Sequence, residues 1–139
     1  MITKKHTSTL VILMLVGLTG FANAQMSTVF KAPVPFAFVA NGETMPAGEC
    51  MIAVVGIGRP ILSISCRKQH VYSFSIAYES PNASKETALV FHQYGDQYFL
   101  AGVKRAGGIS YELPASKVES ELRAGNVAEE VFTLPASAE

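Results

Sequence analysis

Residues 88–103 read ALVFHQYGDQYFLAGV, two aromatic-rich runs on either side of Gly95-Asp96. Apolar residues at alternate positions are strand behaviour, and a glycine in the first of two linking positions suits a tight hairpin turn. Pairing outward from that turn sets Phe91 opposite Leu100 and His92 opposite Phe99, with Phe91 and Leu100 on one side of the sheet. The stretch therefore predicts an antiparallel sheet, and the rest of the chain can be read against it.

Upstream the same period recurs, broken by Gly, Pro and Asn. Phe36 and Phe38 alternate with Ala37 and Val39 before an Asn41-Gly42 turn, and Pro46-Ala47-Gly48 makes a second turn. Cys50 to Val55 and Ile61 to Cys66 form a hairpin across residues 56–60. Val71 to Tyr78 reads as one strand, with Tyr72, Phe74, Ile76 and Tyr78 on the face expected to meet the core. Residues 79–87 are polar and make a loop.

Downstream of Gly107-Gly108 the period changes. Pro114 can open a helix, Val118 and Leu122 lie four apart on one face, and Gly125 stops it, which predicts one short C-terminal helix over residues 114–124. A strand at 131–134 follows. The expected fold is all-β, an antiparallel β-sandwich or flattened barrel of six to eight strands with that helix at its C-terminal end.

The first residues carry a different signal. Lys4, Lys5 and His6 precede the apolar run from Leu10 to Leu18, and Ala22-Asn23-Ala24 supplies the small residues read by a signal peptidase. The apolar run falls short of the ~20 residues of a membrane-crossing helix. No cysteine follows it as a lipid attachment site. A signal peptide over residues 1–24 is expected, then a single β-rich domain over 25–134 and a flexible tail over 135–139. The product would be secreted or periplasmic, with no membrane span after cleavage.

Without the leader, nine Lys and Arg face eleven Asp and Glu, a net of 9 − 11 = −2. With no basic cluster there is no electrostatic ground for a nucleic-acid partner.

The two cysteines add a register argument. If residues 56–60 set the pairing, Val54 meets Leu62, Ile52 meets Ile64 and Cys50 meets Cys66, and the apolar alternation of both strands agrees. Opposed residues at a non-hydrogen-bonded pair lie about 4.5 Å apart at Cα, within reach of a disulfide, and export removes the redox objection. A structural disulfide between Cys50 and Cys66 is the favoured reading. Buried free thiols are the bland alternative, and a redox dithiol lacks its Cys-x-x-Cys arrangement.

Catalytic chemistry finds little to build on. His70 and His92 are the histidines outside the leader, and Asp96, the one aspartate, sits at a hairpin tip. Two separated histidines fall short of a zinc set, there is no Gly-x-Ser-x-Gly elbow, and the glycine pairs lack the rest of a phosphate loop. No catalytic, cofactor or metal residue is assigned. Asn82-Ala83-Ser84 fits the glycosylation acceptor pattern. The aromatic supply, including Phe36, Phe38, Tyr72, Phe74, Tyr78 and Phe91, fits core packing first and a ligand site second.

Three stretches together, VPFAFVANGETMPAGEC (34–50), ALVFHQYGDQYFLAGV (88–103) and ELPASKVESELRA (112–124), resemble a group of short secreted proteins of soil bacteria, notably acidobacteria. The shared pattern is Pro-Phe-x-Phe, Pro-Ala-Gly, Phe-His-x-Tyr-Gly-Asp and a Leu-Pro helix opening. The resemblance implies the same fold and address, and no activity. Cys50 stands where that group carries an aromatic residue, which makes the disulfide particular to this chain.

The expected function is therefore a non-catalytic binding or structural module, whose partner is a protein, a glycan or a small apolar ligand. One alternative is a small barrel carrying an apolar ligand. Another is a hydrolase of envelope polymers, which requires His70 or His92 to converge with Glu43, Glu49 or Glu112 in one cleft.

Overall fold

A computed structural model of the chain describes residues 28–56, 58–79 and 86–138. The expected signal peptide and the Asn82-Ala83-Ser84 pattern lie outside the described residues. The strands are β1 (Val29–Val34), β2 (Phe38–Ala40), β3 (Glu43–Met45), β4 (Gly48–Val55), β5 (Ile61–Cys66), β6 (Gln69–Phe74), β7 (Ile76–Glu79), β8 (Ala88–Tyr94), β9 (Gln97–Lys104), β10 (Ile109–Glu112), β11 (Glu130–Pro135) and β12 (Ser137–Ala138). The helix α1 (Lys117–Ala124) stands between β10 and β11. The protein is all-β with one short helix, in a larger number of shorter strands than the six to eight expected.

The strands form two open sheets. One runs β12-β1-β4-β5-β6; the other runs β11-β8-β9-β10-β7, with β2 beside β9 and β3 beside β2. All pairings are antiparallel except the short contact of β2 with β9. The chain crosses from sheet to sheet at both margins, since β6 leads to β7 and β11 leads to β12, each an edge strand. Residues 135–138, expected within a flexible tail, end β11 and form β12, where Ala138 faces Phe30 and Ser137 faces Lys31.

The hairpin registers follow the sequence argument. Phe91 faces Leu100 and His92 faces Phe99 across β8 and β9. Val54 faces Leu62, Ile52 faces Ile64 and Cys50 faces Cys66 across β4 and β5. The cysteines are joined, with Cα atoms 4.3 Å apart. Asn41 and Gly42 both take positive φ, 47° and 78°, as a mirror-image turn between β2 and β3 requires.

One expectation is overturned. Val71 to Tyr78 is not one strand with its aromatics inward: it breaks at Ser75, and Tyr72, Phe74, Ile76 and Tyr78 are 59%, 67%, 64% and 38% exposed. Register with β5 explains the inversion. Val71 faces Ile64 and Ser73 faces Leu62, both in the buried row, so Val71 and Ser73 share the interior phase. A period-two pattern fixes which residues share a face but leaves the choice of face to the neighbouring strand. Ser75 is then held at the crossing, where its backbone N–H and its hydroxyl both donate to the carbonyl of Pro60.

A single buried cluster draws on both sheets: Phe30, Ile52, Leu62 and Ile64 from one, Leu89, Phe91, Leu100 and Val103 from the other. The rings of Phe30 and Tyr111 meet across it, 6.4 Å apart. Phe38 and Phe91 lie edge to face at 5.3 Å in the same cluster, while Phe36 sits partly buried against Tyr98 and Phe91.

Candidate functional site

The face of the seven-stranded sheet away from this core carries the polar chemistry. Along β8 the alternate residues Val90, His92 and Tyr94 point there, opposite in sense to Phe91. Between Phe91–Leu100 and Val90–Gly102 the register shifts, leaving Ala101 extra on β9. This bulge is used: the Ala101 carbonyl accepts the backbone N–H of Leu113, just before the helix. Gly102 lies next in the ladder, opposite Glu112 on β10. A Cβ at Gly102 would collide with the carbonyl oxygen of Tyr111, so the close approach of β9 and β10 demands glycine. The same absence of a side chain leaves a hollow on the sheet.

Two adjoining hollows share His92 and Glu112. The larger, about 190 Å³, is also lined by Tyr78, Gly102, Lys104 and Tyr111. The smaller, about 120 Å³, reaches Ile76, Pro114, Glu119 and Arg123 at the start of the helix. The side chains of Lys104 and Glu112 form no ion pair or hydrogen bond with any described residue.

At the helix end of these hollows stands a charged network. Ser116 caps α1 and its hydroxyl accepts the backbone N–H of Glu119 at 3.2 Å. Glu119 does not fold back to the cap in return. Its carboxylate, 4% exposed, turns to the sheet, where Oε1 meets His92 Nδ1 at 2.6 Å. The same Nδ1 lies 3.0 Å from Arg123 Nη2, which only donates, so Nδ1 donates to the Glu119 carboxylate when it carries a proton and accepts from Arg123 when it does not. Tyr94 Oη lies 3.1 Å from Glu119 Oε1 and 2.9 Å from Glu129 Oε2, and its single proton serves one or the other. Arg123 donates from Nε to Tyr94 Oη and Glu129 Oε2, and from Nη2 to Glu119 Oε1. On the other side of the imidazole, Nε2 faces Glu129 Oε1 at 3.6 Å.

The electrostatics follow from these contacts. Burial pushes the Tyr94 hydroxyl up to about 12; the Arg123 hydrogen bond opposes this, and Glu129 and Glu119 add to it. The Glu129 carboxyl is held below the ordinary carboxylate range, first by the Tyr94 hydrogen bond, with His92 and Arg123 helping against the cost of burial. The Arg123 guanidinium is raised, chiefly through Tyr94. Every buried side-chain polar atom among the described residues has a partner.

This network decides the docking of the helix. Val118, which the sequence sets on one face with Leu122, is 50% exposed, whereas Glu119 is buried. The helix is fastened by charge and hydrogen bonds more than by an apolar stripe. Glu119, Arg123 and Glu129 do not stand out in the sequence, and Tyr94 does so only as one of its many strand aromatics. The Ser116-x-x-Glu119 capping spacing and the Glu119/Arg123 pair, four apart, are the signals that mark two of them.

The other sequence candidates are spread out. His70 lies on the far side of the five-stranded sheet, its Nε2 2.7 Å from Ser63 Oγ and its ring 4.5 Å from Tyr72. Glu43 and Glu49 are exposed on β3 and β4. Of the histidine and carboxylate candidates, His92 and Glu112 alone line the same hollows. A third groove, about 470 Å³, lies at the β6–β7 crossing against Arg59, Pro60, Phe74 and Ile76.

Among the described residues no group of three or more His, Cys, Asp or Glu is arranged to hold a metal ion, and no helix is long and apolar enough to cross a membrane. In comparisons with known proteins, the chain matches no family model, no curated protein and no solved structure.

Proposed function

We propose that this chain is an exported, non-catalytic binding module of the periplasm or cell exterior, its two sheets packed as a β-sandwich, and that it takes its partner on the outside of the sandwich. The observation that carries this reading is the strip formed by Tyr72, Phe74, Ile76 and Tyr78. Four large side chains in succession stand in solvent where β6 passes into β7, although the alternate residues Val71 and Ser73 are buried. Phe74 and Ile76 share the groove at that crossing, and contiguous exposed apolar surface on a small domain marks an interaction site. The disulfide fits an oxidising compartment. The same placement weighs against a carrier with an aromatic-lined interior: Tyr72, Phe74 and Tyr78 lie outside, and Phe38 and Phe91 pack on each other.

The test is retention on insoluble envelope material from a secreting host, comparing the oxidised protein with Phe74→Ser and Ile76→Ser. Both positions are more than half exposed, so folding is spared. Retention of the parent and loss in the variants is expected; equal retention of all three, or none, overturns the reading.

A second reading, hydrolysis of an envelope polymer, is favoured by one observation: His92 and Glu112 share a cleft, with Glu119 orienting the imidazole. It predicts release of soluble fragments from that material, abolished by Glu112→Gln. Binding without release decides for the first reading.

A further inference from the structure

The geometry points to a subsite for one neutral sugar residue in the larger hollow of the seven-stranded sheet, with Tyr78 as its stacking platform and Lys104 and Glu112 as its polar partners. This rests on the proposal that the chain is a binding module, and names the ligand class that its outer surface takes.

Three observations carry it. First, the hollow of about 190 Å³ is small, partly open and has Gly102 in its lining, so it suits a single ring and not a chain threaded through a cavity. Second, its walls combine one partly exposed aromatic ring, Tyr78 at 38%, with groups of opposite hydrogen-bonding sense. An ammonium only donates and a carboxylate only accepts. Lys104 and Glu112 line the same hollow, yet neither side chain is engaged by a described residue. A sugar answers both, because each hydroxyl donates and accepts, while its axial C–H face lies on an aromatic ring. Third, the other charged groups are already engaged with one another: Arg123 holds both Glu119 and Glu129, and His92 lies against the same two carboxylates. What faces the ligand is one cation and one anion, with no net preference for a charged sugar.

The subsite also has an extension. Ile76 lines the adjoining smaller hollow and shares the groove at the β6–β7 crossing with Phe74, so a saccharide chain leaving the hollow in that direction meets further exposed apolar side chains. A free zwitterion such as an amino acid satisfies Lys104 and Glu112 but leaves the strip unused, and it is the alternative that the test must separate.

The experiment is an NMR titration of the isotope-labelled, oxidised protein with neutral hexasaccharides of glucose, mannose and N-acetylglucosamine, and separately with glycine. At least one hexasaccharide is expected to shift the amides of Gly102, Lys104 and Glu112. Tyr78→Ala and the isosteric surface change Glu112→Gln are each expected to weaken that binding by about tenfold, the scale of one lost stacking or charged hydrogen-bond contact. Binding that survives both variants but falls with Phe74→Ala overturns the subsite and leaves the binding-module reading intact. Shifts with glycine alone overturn the sugar class. Silence of all four probes overturns the subsite, and whether the module reading falls with it is decided by retention on envelope material.

Discussion

His92 and Glu119 stand 27 residues apart in sequence and 2.6 Å apart in space, and their contact fastens the helix to the sheet. The Glu119 Oε1 also receives Arg123 and lies within reach of Tyr94, so removing the carboxylate's charge weakens every contact made at that oxygen. Glu119→Gln keeps the shape and the backbone N–H bonded to Ser116. It should lower stability by about 1–3 kcal/mol, the scale of hydrogen bonds to a charged group. Val118→Ala, at a half-exposed position, should change it by less than about 0.5 kcal/mol. Urea unfolding of both variants is the check, and the reverse ranking would mean the helix docks through its apolar residues after all.

The Cys50–Cys66 bond joins facing positions of one hairpin at a sequence separation of 16. Closing a loop of that size should contribute about 3 kcal/mol by restricting the unfolded chain. Denaturation with and without reductant should show that difference. The double variant Cys50→Ala/Cys66→Ala should fall at least as far as the reduced protein, since both sulfurs are buried in the core.

Strand β6 edges its sheet, and an exposed edge invites pairing with another chain. Asn41, at the tip of the β2–β3 turn, donates its side-chain amide to the Tyr72 carbonyl at 2.9 Å and so occupies part of that edge. Asn41→Gly preserves the positive φ and removes only the amide. The variant should self-associate at lower concentration than the parent in sedimentation velocity runs, and identical behaviour would show that the amide does not guard the edge.

How far the sequence could be read depended on whether local pattern or distant packing decides the matter. The hairpins were legible because turn and alternation act within a dozen residues; Phe91–Leu100 and Cys50–Cys66 both follow from counting outward from a turn. The face of Tyr72 and Phe74 was not legible, because Val71 and Ser73 follow the same period in the opposite phase and the choice belongs to Leu62 and Ile64 on β5. The strand break at Ser75 escaped for a similar reason, being held by Pro60 in the loop before β5. At the candidate site, His92 and Glu112 were named from residue type alone, whereas Glu119, Tyr94, Arg123 and Glu129 gain their meaning only where helix, sheet and the segment before β11 meet. Apolar periodicity cannot foresee a helix that docks through a carboxylate.

The same network should give the protein a stability window bounded by two of its members. Tyr94 is raised to about 12 in the folded protein against about 10 unfolded, so its share of stability is complete below pH 10 and is lost as pH rises towards 12, where the unfolded chain has already released the proton. Glu129 works in the opposite sense. Its carboxyl is lowered in the folded state, so its share is present above the ordinary carboxylate range and disappears as pH falls through the folded value. Absorbance titration near 295 nm isolates the first arm: subtracting Tyr94→Phe from the parent should leave one tyrosinate step close to pH 12. Urea unfolding across acid pH isolates the second, where Glu129→Gln should flatten the fall in stability that the parent shows. A Tyr94 step near pH 10 would mean that its hydroxyl is not held in the buried network, and an unchanged acid limb in Glu129→Gln would move the acid sensitivity elsewhere.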